Sequence, residues 1–483
     1  MRSEQTNAES GDARTESPCF ERPRRMTPDD IRTARPASQP DAPALALTQS
    51  RRQMIAAGQW NASQLMGRRW PIGCVALEIT QRCNLDCAAC YLSENSEAVH
   101  DLPLDEIFHH INLIYEYYGP HTDVQVTGGD PTLRHRGELI AIVRRIRETG
   151  MRPTLFTNGI KATRDLLGAL VDAGLVDVAF HVDMTQGRKG FDGEIALNTL
   201  RHEYIERARG LGLSVFFNTT IFDGNFEDIP HIVGFFIRNS DIVRMASFQL
   251  QADTGRGVLG MRPSRITIES ATRKINAGAG AALSFDAIQI GHSHCNRCAM
   301  ALVTNNKAYD MLDDRQLVTD VLEHTSHLRF DRHSRSAVTR IFAMSLLTSP
   351  RLLGRALVWA IRKAWLAKND LVAARGRVDK LSFFIHNFMD ACALERDRID
   401  ACTFTTVTSD GPISMCLHNA KRDAFILQPV RLRGSTGERL WNPLSGEIEA
   451  SRACRIGETV KHSPKTAKGR LKGLYANRRS TPA

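Results

Sequence analysis

The sequence predicts an α/β protein, a partial (β/α)6 barrel with a C-terminal Cys-containing extension and disordered termini. Three observations carry this prediction. Short apolar, β-branched runs recur at 74–80, 123–127, 153–157, 176–183, 213–220 and 244–251, with the length and composition of buried strands. Helical patterns at about 103–118, 134–149, 161–174, 194–210 and 226–239 alternate with them, and a further helix follows Pro263. Such alternation implies parallel pairing through right-handed crossovers. The residues able to do chemistry fall at the ends of the runs, where βα barrels place their sites.

The chain divides into four segments. Residues 1–70 form an N-terminal tail and lead-in. Pro18, Pro23, Pro28, Pro36, Pro40 and Pro43 among mixed charges predict disorder to about residue 50, and Cys19 is a bystander there. Met54, Trp60, Leu65 and Trp70 predict a short helical stretch packed on the core. The barrel occupies 71–290, a C-terminal extension 291–430, and a basic tail 431–483.

The 483 residues suffice for two or three domains, and 42% hydrophobic with 24% charged content is that of a globular protein. The net charge of +10 is uneven: from Arg431 onward twelve Lys/Arg face four Asp/Glu. A tail of that sign suits a membrane surface or another anionic partner, or serves only solubility; nucleic acid is not the expected ligand. Eleven cysteines in clusters point to metal ligation in a reducing compartment rather than to a disulfide scaffold. With no apolar h-region near the start and no run of about 18 uncharged apolar residues, the expectation is a cytoplasmic protein, peripheral to a membrane at most.

The densest chemistry lies just past the first strand. Cys83, Cys87 and Cys90 follow Val75–Ile79 at the spacing C-x3-C-x2-C, with Tyr91 next. Three thiolates on a tight loop can hold three irons of a cubane and leave the fourth open to a small molecule. A zinc knuckle is the alternative, but it needs a fourth protein ligand, and none is close in sequence. Strand two ends in Gly128-Gly129-Asp130, where glycines admit close backbone approach and a carboxylate can receive an ammonium group. Strand three ends in Thr157-Asn158, and strand four carries His181 and Asp183 on one face. Asp183 is a candidate for ribose hydroxyls and His181 for substrate contact or proton transfer. Asn218 with Thr220, and Gln249 with Gln251, add polar side chains inside the barrel that need a ligand or one another.

The extension holds further thiols. Cys295 and Cys298 lie close together, and the Asp410-Gly411 turn predicts a hairpin bringing Cys402 toward Cys416. With Cys392 nearby, these are candidate ligands of an auxiliary iron–sulfur cluster; a zinc site or scattered free thiols are the alternatives. Between them runs a long insertion at about 306–380. Within it, 351–368 reads as a helix with Arg351, Arg355 and Arg362 inside an arc of about 40° and Trp, Leu, Val and Ile over the rest. It suits a membrane interface, or equally an ordinary helix docked on the barrel.

Cys83, Cys87 and Cys90 with Gly128-Gly129-Asp130 resemble the signature of the radical S-adenosylmethionine (SAM) superfamily. The resemblance spans about 74–290 and implies a (β/α)6 core, a [4Fe–4S] cluster on the three cysteines, and SAM as cofactor. It implies that Gly128, Gly129 and Asp130 grip the SAM amine, with Asp130 in place of the usual Glu. It further implies that Thr157 and Asn158 lie near the ribose and carboxylate, beside Asp183, Asn218 and Gln249. The implied reaction is reductive cleavage of SAM and hydrogen abstraction from an unactivated carbon, with an electron donor such as flavodoxin or ferredoxin. The C-terminal half resembles the tetraether lipid synthase group through Gly291-His292…Cys295, His386–Asp390, Asp397-Arg398, and Asp410-Gly411 ahead of Cys416 and Asn419. That likeness implies a lipid-chain substrate. A maturase of a ribosomal peptide and a non-catalytic iron–sulfur or zinc protein are the alternatives.

Overall fold

The computed structural model describes residues 24–256, 258–328, 335–432 and 439–450. Six parallel strands form the frame: β1 (Cys74–Thr80), β2 (Asp123–Gly128), β3 (Arg152–Thr157), β4 (Asp177–His181), β5 (Ser214–Ile221) and β6 (Val243–Leu250). Each lies within a few residues of its predicted run. Two short helices, α1 (Pro28–Thr33) and α2 (Ala46–Ala56), come first. The crossovers are α3 (Leu104–Tyr118), α4 (Arg136–Glu148), α5 (Arg164–Asp172), α6 (Asn198–Ala208) and α7 (Ile229–Arg238), with α8 (Ile268–Ala279) after β6.

Alternation explains the layering. In β1 the outward Val75, Leu77 and Ile79 join Ile107, Ile111 and Ile114 of α3 in the main core, while Cys74, Ala76 and Glu78 point inward. Barrels of this kind usually fill their interior with branched side chains. Here Ala76, Ala179 and Ser247 are small, and a cavity remains among the inward residues.

The sheet continues past the six strands on both edges. β7 (Asn296–Thr304) and β8 (Lys307–Asp310) form a hairpin, and β9 (Asp379–Asn387) lies between β6 and β7, parallel to the former. On the other edge β10 (Phe404–Thr408) pairs in parallel with β1 and turns at Asp410-Gly411 into β11 (Gly411–Ser414). The eleven strands run β11-β10-β1-β2-β3-β4-β5-β6-β9-β7-β8. Between β8 and β9 the insertion folds as α9 (Arg315–His324), α10 (Arg335–Leu347), α11 (Pro350–Leu366) and α12 (Lys368–Ala373). The predicted 351–368 helix therefore breaks at Ala367. After β9 come α13 (Arg396–Asp400), α14 (Met415–Ala420), α15 (Asp423–Ile426) and a small sheet of β12 (Val430–Leu432), β13 (Arg439–Trp441) and β14 (Ile448–Ala450). Cys416, expected on a strand, sits in the first turn of α14.

Disorder predicted up to residue 50 gives way to structure from Arg24. Thr27 and Asp30 form a capping box on α1, and Met26 is buried with Met389, Leu394, Ile413 and Leu417. Cys19 and most of the basic tail lie outside the described residues. The lead-in packs as predicted, Met54, Trp60, Leu65 and Trp70 lying with Ile288, Ile290 and Phe384, but it is helical only to Ala56, and Trp60, Leu65 and Trp70 follow in a stretch of turns and bridges. They form a plug on the N-terminal side of the strands.

Candidate active site

The loop after β1 is held from four sides. Cys83 N–H donates to Glu97 Oε1 at 3.2 Å, Ala88 N–H to Thr185 O at 2.7 Å, Val258 N–H to Ala88 O at 2.8 Å, and Tyr91 O–H to Gly128 O at 2.7 Å. The loop brings three thiols together. Burial first, then the neighbouring Cys90 and Cys83, pushes the Cys87 thiol well above its ordinary range. A polycationic group bound among them would reverse that penalty, which is what the chemistry of an iron cluster supplies.

Gly128 and Gly129 fix this loop from below. Gly129 N–H donates to Thr80 O and Asp130 N–H to Arg82 O, both at 2.8 Å. A Cβ on Gly128 would strike Thr80 O, one on Gly129 would strike Arg82 O, and Gly128 has φ +123°. The glycines are thus needed for backbone-to-backbone contact with the cysteine loop.

Asp130 has partners within the protein. Its carboxylate is fully buried and accepts from Thr132 N–H, Thr132 O–H, Thr157 O–H and Asn158 N–H, at 2.5–3.0 Å. Its acceptor capacity is shared between Thr132 on its own turn and the end of β3, and it is not among the residues lining the cavity. A side chain one methylene shorter than Glu stays inside the loop it closes. Thr157 and Asn158 do line the cavity, and Asn158 Nδ2 donates to Asn84 Oδ1 at 2.7 Å.

His181 Nε2 lies 2.7 Å from Asp183 Oδ2. Asp183 is buried behind it and also accepts from Thr185 N–H and Thr220 N–H. Burial opposes its charge, yet His181 and these donors hold Asp183 at about 2. Of the pair, only His181 lines the cavity, and Asp183 orients it from behind.

The cavity measures ≈ 430 Å³ and runs the height of the barrel. Strand register sets its layers. Asn218 pairs with Ser247 and Thr220 with Gln249, which in turn pairs with His386. These and Gln251 form a polar upper part beside the cysteines. Phe216 and Met245 lie one layer lower, with Phe384, Phe404, Leu65 and Trp70 around the floor. His386 is sandwiched between Phe384 and Phe388, at 4.4 and 5.5 Å. Burial lowers it to about 3, so it is neutral. Its Nδ1 is 3.1 Å from Asn296 Oδ1, which puts the proton on Nδ1 and leaves Nε2 as an acceptor.

The extension contributes a second cluster of thiols. Cys295 Sγ accepts from Arg398 Nε at 3.2 Å, and Ser414 Oγ donates to Cys402 Sγ at 3.2 Å. Burial, then Cys402 and Cys295, raises Cys416 to about 12, so these three thiols are electrostatic neighbours. Cys298 is not with them. It lies three residues further, inside β7, among Met54, Met66 and Phe384, and burial raises it to about 11. Cys392 is exposed. Among the described residues no three His, Cys, Asp or Glu side chains are grouped so as to hold a single metal ion.

Sequence reasoning missed a buried ion pair at the mouth. Arg422, 1% exposed, donates to both Glu78 carboxylate oxygens at 2.7 Å, to Gln81 Oε1 at 3.2 Å and to Asn419 Oδ1 at 2.9 Å. Its guanidinium also lies 4.6 Å from the Tyr91 ring centroid. Burial opposes the Glu78 charge, but Arg422 and His418 pull its pKa down to about 2. The only signal in sequence was a charged residue within the apolar run of β1.

Residues 77–236 match the Radical SAM superfamily. The chain carries a radical SAM domain. Proteins built on this domain are enzymes that use a [4Fe–4S] cluster and SAM, and the three-thiol loop here fits that cluster. Curated relatives include the 7,8-dihydro-6-hydroxymethylpterin dimethyltransferase of Methanocaldococcus jannaschii, 28% identical over 37% of this chain and 36% of that protein. Another is the PqqA peptide cyclase of Methylobacterium nodulans, 27% identical over 34% of this chain and 42% of that protein. The chain thus spans about two fifths of the length of these relatives. Among solved structures, Streptococcus suis SuiB bound to S-adenosylmethionine aligns over 41% of this chain and 46% of that chain, at 15% identity and TM-score 0.33. The radical SAM domain is similar to proteins of several activities. The tetraether lipid synthase likeness rests on the C-terminal motifs alone.

Proposed function

We propose that this chain is a radical SAM enzyme acting on an unactivated carbon of an apolar chain, with a lipid chain as the substrate class. The supporting observation is the junction of the three-thiol loop with one continuous cavity, polar beside the thiols and lined lower down by Phe216, Met245, Phe384, Phe404, Leu65 and Trp70 together with the polar Asp123, Gln125 and Thr154. Cys83, Cys87 and Cys90 would hold the cluster. Thr157, Asn158, Asn218 and Gln249 are the polar groups we assign to SAM, with the backbone at Gly128 and Gly129 beside them. When bound, the cluster and SAM supply a 5′-deoxyadenosyl radical that removes hydrogen from carbon. His181, held by Asp183 through Nε2, would hold or move a proton at its other ring nitrogen, Nδ1, near the substrate. Neutral His386 would accept a hydrogen bond from a polar end group, while Phe216, Met245, Phe384 and Phe404 enclose the apolar part and exclude water. Cys295, Cys402 and Cys416 would hold an auxiliary cluster, with the Arg398 guanidinium balancing its negative charge.

The second reading, a ribosomal-peptide maturase, draws on the PqqA peptide cyclases among the relatives. Reconstituted protein incubated with SAM, reductant and lipids bearing perdeuterated acyl chains separates the two. Deuterium in the released 5′-deoxyadenosine supports the lipid reading. Its absence across acyl-chain lipids, with deuterium arriving from a labelled peptide, overturns it.

A further inference from the structure

The insertion between β8 and β9 presents an unusual surface. From Arg335 to Val378 the chain has nine Lys/Arg and a single acidic residue, Asp370. Asp370 is buried and turned toward Asn305, Lys307 and Tyr309. The apolar residues of α11 divide between two faces. Leu352 is buried against Leu317 and Leu346, with Leu353 and Trp359 packed beside them. Val358, Ile361 and Trp365 fall within an arc of about 60° on α11 and point to solvent, and Leu347, Leu366 and Val372 are exposed on α10, at the end of α11 and on α12. Each of these six is more than half exposed, from 58% to 79%. Scattered exposed apolar residues are ordinary, but a contiguous cluster of this kind marks a contact surface.

The arginine stripe does not form the outer face by itself. Arg355 pairs with Asp314 and Asp320, and Arg362 and Lys363 pair with Asp313, so these cations lean back onto the α9 side. Arg351 lies about 20° from Val358 around the helix, two turns earlier. Arg340, Arg351, Lys368 and Arg375 have no carboxylate partner among the described residues, and three of them flank the apolar cluster in sequence. α12 leads into Asp379 at the N-terminal end of β9, on the side of the barrel away from the cysteine loop.

We infer that the outer face of α10–α12 docks on an anionic lipid bilayer, with Val358, Ile361 and Trp365 in the acyl–headgroup boundary and Arg351 and Lys368 on lipid phosphates. The charge selects this occupant. A second copy of the chain would bring two faces of the same positive sign together, which is repulsive. An anionic leaflet attracts each basic residue near it, and outward Trp and Ile add apolar burial that a purely electrostatic partner would not use. This inference stands apart from the chemistry proposed for the barrel.

Sedimentation of the full chain with phosphatidylcholine vesicles, with and without 30% phosphatidylglycerol, tests it. Wild-type protein is expected to pellet only with the anionic vesicles and to be released by about 0.5 M salt. Ile361→Glu/Trp365→Glu, both surface changes, should weaken partitioning about tenfold. Arg351→Glu/Lys368→Glu should do so as well, with unchanged thermal unfolding and SAM cleavage. Because the tail after residue 450 is present in every variant, binding that persists in both double variants would overturn the proposal. Wild-type protein staying in the supernatant would overturn it too, as would concentration-dependent dimers lost in Ile361→Glu/Trp365→Glu.

Discussion

Replacing Arg422 by Met is the most informative single change to the scaffold. It removes a guanidinium that neutralises Glu78 across 344 residues of sequence and supports the Tyr91 ring behind Cys90. Both partners are buried, with side chains 1% and 9% exposed. Breaking such a pair from one side costs about 3–5 kcal/mol, because the remaining charge is stranded. In the wild type the pair's stabilisation is present above the ordinary carboxylate pKa near 4.3 and fades as pH falls through about 2. In Arg422→Met the orphaned Glu78 is instead raised by burial. Its penalty is therefore largest at neutral pH and shrinks on acidification as the carboxyl takes a proton. Urea unfolding at pH 7.5 and pH 5 reads both the size and the slope. The double variant Glu78→Gln/Arg422→Met should recover at least half of the loss at pH 7.5. A loss under about 1 kcal/mol, or one that does not depend on pH, would refute the reasoning.

Three further outcomes follow from the site. Gly129→Ala drives a methyl into Arg82 O, so the protein should fold yet bind substantially less iron on reconstitution, as measured by iron and sulfide analysis. Asp130→Asn keeps the shape but turns two acceptors into one, so it should loosen Thr157 and Asn158 and cost about 1–3 kcal/mol of stability; SAM affinity that collapses with no change in stability would return Asp130 to a direct ligand role. Cys402→Ala/Cys416→Ala should lower iron content by one cluster's worth, whereas Cys298→Ala should leave it unchanged.

The frame was legible because its signals are local. β1 at 74–80 and the helices between strands announce themselves by apolar runs and their periodicity. The cysteine loop and paired glycines were legible because spacing alone specifies them. What escaped depends on long-range closure. Periodicity shows that α11 has apolar residues most of the way round, but only α9 packing decides that Leu352 faces inward and Val358 outward. The Glu78–Arg422 pair joins the first strand to the end of the chain, and no local pattern links them. Nor did the sequence show that the carboxylate of Asp130 would accept from the hydroxyl of Thr157 and the amide of Asn158, residues brought to it by strand pairing. Cys298 was grouped with Cys295 by proximity in sequence. Cys295 ends the turn ahead of β7 while Cys298 lies inside the strand among Met54 and Met66, a difference that packing decides and spacing does not show.

The central claim, that Cys83, Cys87 and Cys90 serve a radical reaction in this barrel, is tested most directly by one assay. Anaerobically reconstituted protein, SAM and dithionite are followed for 5′-deoxyadenosine and methionine, beside Cys83→Ala, Cys87→Ala and Cys90→Ala prepared in the same way. Release of both products by the wild type, falling at least a hundredfold in each variant, is the predicted result. Equal product from any of the three variants, or none from wild-type protein carrying a full complement of iron and sulfide, would contradict it.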